Sequence, residues 1–146
     1  VPAITSRANP RVKDIRALKN RRERERTGLF LAEGVRVVRE GLRASAAIET
    51  LLVVEERVSA EERKLVDAAR SAGAEVVEVS AAVYDSLSFR GDPDSVAAVV
   101  RQRRDILPDS AANDLSWTAV DGIQHPGNLG TLIRTSDAAG GAGIVL

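Results

Sequence analysis

The chain has 146 residues, of which 44% are hydrophobic and 29% charged, with 21 basic side chains balanced by 21 acidic ones. That is enough apolar material for a core, in one domain or two small ones. The absence of cysteine excludes disulfides and thiolate metal sites, and a single histidine, His125, leaves little for a zinc or iron centre.

The zero net charge hides a division. Residues 1–43 hold twelve Lys/Arg against five Asp/Glu, and the remainder holds nine against sixteen. A basic end of this kind suits a polyanion. No apolar run is long enough to span a bilayer, and no basic-then-apolar leader is visible, so the expected location is cytoplasmic.

In chain order, "ANPRVKDIRALKNRRERERTG" opens with Asn9 as a helix cap and Pro10 at the first helical position. Val12, Ile15 and Leu18 form one apolar stripe, basic residues crowd the other faces, and Gly28 is a stop. This reads as a basic helix followed by a basic turn. "LFLAE" (29–33) is a strand, and "GVRVVREGLRA" (34–44) is a helix that buries Val35, Val38 and Leu42. "IETLLVV" (48–54) is a buried strand. Ser59 and Glu62 make a capping box for a helix to Ser71, which Gly73 ends. "EVVEV" (75–79) is a strand, Ser80 caps a short helix through Leu87, "SFRGDPDS" (88–95) is a loop, and "VAAVVRQ" (96–102) is a strand. This alternation predicts an α/β layer with a largely parallel or mixed sheet.

"RRDILPDSAANDLS" lacks periodicity and reads as a linker, which sets the division at 1–104, linker 105–116, and 117–146. The last block is one βαβ unit. It has a strand at "WTAVDGI" (117–123), a helix from Asn128 to Ala139, and the strand "AGIVL" (142–146). Between its first strand and helix lies "HPGNLGTLIRT". There Gly127 and Gly130 allow positive φ and close ligand approach, while Asn128 can cap the helix. Such a turn serves a phosphate, a nucleotide or a reacting hydroxyl. It is not a P-loop, and its glycine spacing lacks the dinucleotide fingerprint. Arg134 follows Asn128 by six residues, about 120° around a helix, so a ligand meets both only by wrapping the helix start.

These last residues resemble the first motif of the SpoU/TrmH group of ribose 2′-O-methyltransferases, in the knotted SPOUT superfamily. That motif is a strand, a Pro-x-Asn-x-Gly turn and a helix bearing Ile-Arg-Thr, matched by Pro126, Asn128, Gly130, Ile133, Arg134 and Thr135. Independently, "ITSRANPRVKDIRAL" and "GLFLAEGVRVVREGL" resemble the substrate-binding extension of the ribosomal-RNA branch, whose α/β fold is like that of RNA-binding ribosomal proteins. The resemblance therefore implies a ribosomal-protein-like α/β RNA-binding domain followed by the first βαβ unit of a SPOUT domain.

The activity so implied is methyl transfer from S-adenosylmethionine to a ribose 2′-hydroxyl of RNA, with ribosomal RNA preferred. Arg134 would be the catalytic arginine and Asn128 an organiser of the site. A guanidinium is a poor base, so its role is positioning and stabilising a developing alkoxide. Arg7, Asn9, Lys13, Arg21, Arg22 and Arg26 are the candidate phosphate contacts. Glu33 and Gly34 match a Phe-x-x-Glu-Gly segment of the family, and stand for either RNA contact or a strand-end turn. His125 departs from the acidic or amide residue more common before the proline. With only Phe30, Tyr84, Phe89 and Trp117 as aromatics, backbone and shape recognition is expected over broad base stacking. The family's second and third motifs, which hold the cofactor, lie beyond this region, so no cofactor-binding or metal-binding residue is assigned here. The expectation is a truncated, inactive form of a methyltransferase whose parent dimerises through its catalytic domain. The alternative is a non-catalytic RNA-binding protein of ribosomal-protein type.

Overall fold

The computed structural model describes residues 2–89, 94–103 and 116–146. It separates into two units, Val1–Arg103 and Arg104–Leu146. The expected linker lies outside the described residues except for Ser116, as do residues 90–93 of the expected "SFRGDPDS" loop.

In the first unit, apolar runs form strands and half-apolar runs form helices. In order these are α1 (Pro10–Ala17), α2 (Arg21–Thr27), β1 (Leu29–Glu33), α3 (Val35–Arg43), β2 (Ile48–Val53), α4 (Ala60–Ser71), β3 (Glu75–Glu78), α5 (Ala81–Leu87) and β4 (Val96–Arg101). The sheet order is β1-β4-β2-β3, with β2 and β3 parallel and both pairings of β4 antiparallel, so the sheet is mixed. β2 and β4 are central and buried on both faces, which is why they read as unbroken apolar runs. Alternate residues divide between two cores. Leu52, Val54, Ala97 and Val99 meet Val12, Ile15 and Leu18 of the α1 segment and Val83, Tyr84 and Leu87 of α5. Leu51, Val53, Val96, Ala98 and Val100 meet Val38 of α3 and Leu65, Val66 and Ala69 of α4. The unit is thus helix on sheet on helix. Its outer β3 edge is covered by Ile4, whose N–H donates to the Glu78 carbonyl at 2.9 Å and whose carbonyl accepts from the Ser80 N–H at 3.0 Å.

The caps follow the sequence. Asn9, Ser59 and Ser80 accept backbone N–H groups at the starts of α1, α4 and α5, and the Ser59–Glu62 capping box is complete. The expected basic turn is instead a second helix. Asn20 caps α2 through the Arg22 N–H at 2.9 Å, and the Arg24 guanidinium bonds the Leu18 and Lys19 carbonyls, closing the end of α1. α2 buries no residue, so it carries no apolar period to betray it.

The second unit is a βαβ unit. β5 (Trp117–Ala119) pairs parallel with β6 (Gly143–Val145) across α6 (Pro126–Ala138). α6 starts two residues before the expected Asn128. Pro126, with φ already set for a helix, takes the first position and His125 becomes the cap residue. Asn128 is therefore inside the first turn and does not cap, and its N–H donates to the His125 carbonyl at 3.0 Å. Gly127 and Gly130 are helical rather than at positive φ. The left-handed glycines of this unit are Gly122 and Gly140, before and after the helix.

Candidate functional site

The basic residues of the first unit divide by what they hold. Arg11 bonds both carboxylate oxygens of Glu75, and its Nη2 donates to the Thr50 hydroxyl at 3.2 Å, tying α1 to the sheet. This pairing holds the Glu75 carboxyl below the usual carboxylate range. Arg57 with Asp85 and Arg63 with Glu55 are likewise structural ties. The residues expected at phosphates lie elsewhere. Arg7 is exposed and its Nε donates to the Ala82 carbonyl at the start of α5 at 3.1 Å. Asn9 spends its side-chain carbonyl on the Arg11 N–H at 2.9 Å. On α2, Arg21 reaches Glu25 at 2.7 Å and Arg26 reaches Glu23 at 2.9 Å. Such exposed pairs at helical spacing hold only weakly, so a phosphate competes readily for either guanidinium. Lys13 and Arg22 are exposed and form no ion pair with a described residue. α2 thus presents three arginines outward on a helix with no buried side chain.

Glu33 and Gly34 serve the junction of β1 and α3. Gly34 is buried, has φ 104° and ψ 145°, and donates its N–H to the Val96 carbonyl at 3.1 Å. A side chain there would be strained by the backbone alone. Half-buried Glu33 accepts from the Ser88 hydroxyl at one oxygen and from the Phe89 N–H at 2.8 Å at the other. Its carboxylate is therefore already engaged in holding the chain just after α5. Sequence reasoning missed Lys19, whose ammonium lies 4.8 Å from the Phe89 ring centroid and donates to the Ser88 carbonyl at 2.9 Å. No local signal marks that pair, because its members are seventy residues apart.

In the second unit, Asn128 and Arg134 are both exposed on α6. Six residues separate them by about 9 Å along the axis. The Arg134 side chain shortens that distance by folding toward the helix N-terminus, the direction long helical side chains favour. Its Nη2 donates to the Thr131 hydroxyl at 3.3 Å, and Thr131 in turn donates to the Gly127 carbonyl at 3.0 Å. A Cβ on Gly130 would sit 3.2 Å from Arg134 Nη1. The absent side chain at 130 leaves the guanidinium room to lie over the preceding turn. Chemically, the helix offers an always-charged fork donor and a neutral amide on its opening turns.

The first unit turns arginines outward near its start, and the βαβ unit bears an exposed arginine on α6. Residues 9–98, nearly the whole first unit, match the MRM3-like substrate binding domain, and the chain belongs to this family. The 23S rRNA (guanosine(2553)-2′-O)-methyltransferase of Bacillus subtilis is 32% identical over 144 residues, which are 98% of this chain and 53% of that protein. Among solved structures, the AdoMet-bound rRNA methyltransferase from Sinorhizobium meliloti is 35% identical with a TM-score of 0.83, covering 98% of this chain and 53% of that one. The SpoU methyltransferase AviRb from Streptomyces viridochromogenes, in complex with AdoMet, is 30% identical with a TM-score of 0.79, covering 93% of this chain and 52% of that one. The chain spans about half the length of the relatives it matches.

Proposed function

We propose that this chain supplies the RNA-gripping domain and the arginine-bearing helix of an enzyme that methylates a ribose 2′-hydroxyl of ribosomal RNA. The observation that carries the reading is exposed Arg134, braced over Gly130 by Thr131, in a chain whose first unit is a substrate-binding domain. In this reaction the 2′-oxygen would bond to the donor's methyl carbon as the carbon–sulfur bond breaks, and the hydroxyl proton would pass to solvent. S-adenosylmethionine, bound in two of the related structures, would supply the methyl group as a sulfonium. The resemblance assigns none of this chain's residues to holding it, so their part concerns the hydroxyl.

Arg134 sits beside the 2′-oxygen and stabilises the negative charge that grows on it as the proton departs. As a guanidinium it is a fixed donor rather than a base. Asn128, a turn and a half earlier, orients the same nucleotide through its amide. Exposed Lys13 and Arg22 contact phosphates, as do Arg21 and Arg26 once released from their weak helical pairs, with Arg7 beside the start of α5. Glu33 and Gly34 contribute by shaping the β1–α3 corner. A cytoplasmic setting and homodimerisation through the catalytic part belong to the same reading, by family resemblance. Arg134→Ala in the protein that carries this chain is expected to abolish methyl incorporation into ribosomal RNA while leaving RNA affinity within about twofold. Full activity in that variant would overturn the assignment.

A further inference from the structure

Phe89 is 60% exposed, the most exposed aromatic among the described residues. Single exposed apolar residues are ordinary and by themselves mean little. This one is fixed from two sides. Glu33, at the end of β1, accepts from the Phe89 N–H and the Ser88 hydroxyl. Lys19, just past α1, donates to the Ser88 carbonyl and rests its ammonium 4.8 Å from the centre of the Phe89 ring. Two charged side chains from distant parts of the sequence thus hold a dipeptide whose ring stays open to solvent. The core gains little from an exposed ring held in this way.

The surroundings indicate what would use it. The Arg24 guanidinium lies against the Lys19 carbonyl at 2.9 Å, and Arg16 Nη2 donates to the Ser86 hydroxyl at 2.9 Å, two residues before the tethered dipeptide. Glu33, the carboxylate that holds the dipeptide, has both oxygens engaged. An aromatic face among cations offers a nucleotide both a surface for its base and charges for its phosphate. A ring already held in place also loses less freedom when a partner arrives.

We propose that Phe89 is a preset platform on which one unpaired base of the RNA stacks, with Lys19 taking that nucleotide's phosphate. The proposal rests on the RNA-binding reading above and adds to it a single stacking position, set apart from the phosphate contacts of α2. Glu33 acts here as a positioning residue for the platform.

The test uses this chain and an RNA hairpin carrying 2-aminopurine singly at each position of its unpaired loop. Affinity is read by anisotropy over a range of salt, and stacking by quenching of 2-aminopurine. Phe89→Ala is expected to bind about tenfold more weakly, the order of one base–aromatic stack, and to lose quenching at one loop position. The slope of log affinity against log salt should stay unchanged, because that slope counts phosphates. Phe89→Trp should retain both signals and Phe89→Leu should lose both. Since the ring is exposed, none of these variants should unfold the domain, which far-UV circular dichroism checks. Salt-dependent binding that is equal in wild type and Phe89→Ala would overturn the platform and leave the RNA-binding reading standing. Wild-type affinity in Phe89→Leu would overturn stacking in favour of a simple apolar contact. No binding of the hairpin by any form, at any salt, would overturn both readings.

Discussion

Tyr84→Phe isolates one buried hydrogen bond at the point where α5, β4 and the β1–α3 corner meet. Tyr84 is 1% exposed, and its hydroxyl donates to the Val96 carbonyl at 2.7 Å. That carbonyl also accepts the Gly34 N–H at 3.1 Å. Deleting the hydroxyl therefore leaves the oxygen with a partner. The expected cost is the net contribution of one neutral hydrogen bond, about 1 kcal/mol, below the upper end of the roughly 1–3 kcal/mol for an orphaned buried group. The ring remains, so the larger penalty of a cavity, about 3–5 kcal/mol for losing an aromatic, does not arise. For a unit of this size the melting temperature should fall by about 4–8 °C. Urea denaturation followed by far-UV circular dichroism measures this, with an unchanged m-value expected because the same surface is exposed on unfolding. A loss above about 3 kcal/mol would refute the sharing of the Val96 oxygen. An unchanged midpoint would refute the bond itself.

Other substitutions probe the corner, the acid response and α6. Gly34→Ala forces a side chain onto φ 104°, and should lower unfolding free energy by about 1–3 kcal/mol in the same urea assay. Glu62 is held below the ordinary carboxylate range first by the Ser59 backbone N–H, and Glu55, Glu75 and Asp85 are lowered by their arginines. Their folded-state values lie below the unfolded ones, so their stabilisation is complete above about pH 4–5 and is lost as pH falls through the folded values. Glu62→Gln keeps an acceptor for Ser59 but cannot titrate, so its urea midpoint should fall less steeply with acid than that of the wild type. Gly130→Ala should have effects of opposite sign. It should add up to about 1 kcal/mol through helix propensity, while its Cβ, 3.2 Å from Arg134 Nη1, displaces the guanidinium and, on the proposed function, slows methyl transfer. Unchanged transfer by that variant would show that the placement of Arg134 over residue 130 is not used.

Local chemistry made much of the first unit legible. β1 occupies the expected 29–33, α4 begins after a capping box visible as Ser59 and Glu62, and Gly28 adopts the left-handed conformation that ends α2. The helix of "RRERERT" was not legible, because it buries nothing and leans on a guanidinium that closes the preceding helix. The glycines of "GNLG" suggested an open turn, but Pro126 starts the helix before them, and the missing side chain of Gly130 instead makes room for Arg134.

Residue spacing and chemical type determined the alternation of elements, the buried faces, the basic opening and the motif that holds Asn128 and Arg134. These depend on neighbours within one or two turns, where periodicity and capping act. Tertiary structure alone decided the strand order, with β4 returning between β1 and β2, because pairing joins residues far apart in the chain. It also decided that Arg11 is tied to Glu75 while Arg22 stays open, and that Glu33 and Lys19 converge on Phe89. An arginine looks the same in sequence whether it braces a sheet or faces solvent. Only the fold, by bringing a carboxylate to one and water to the other, separates them.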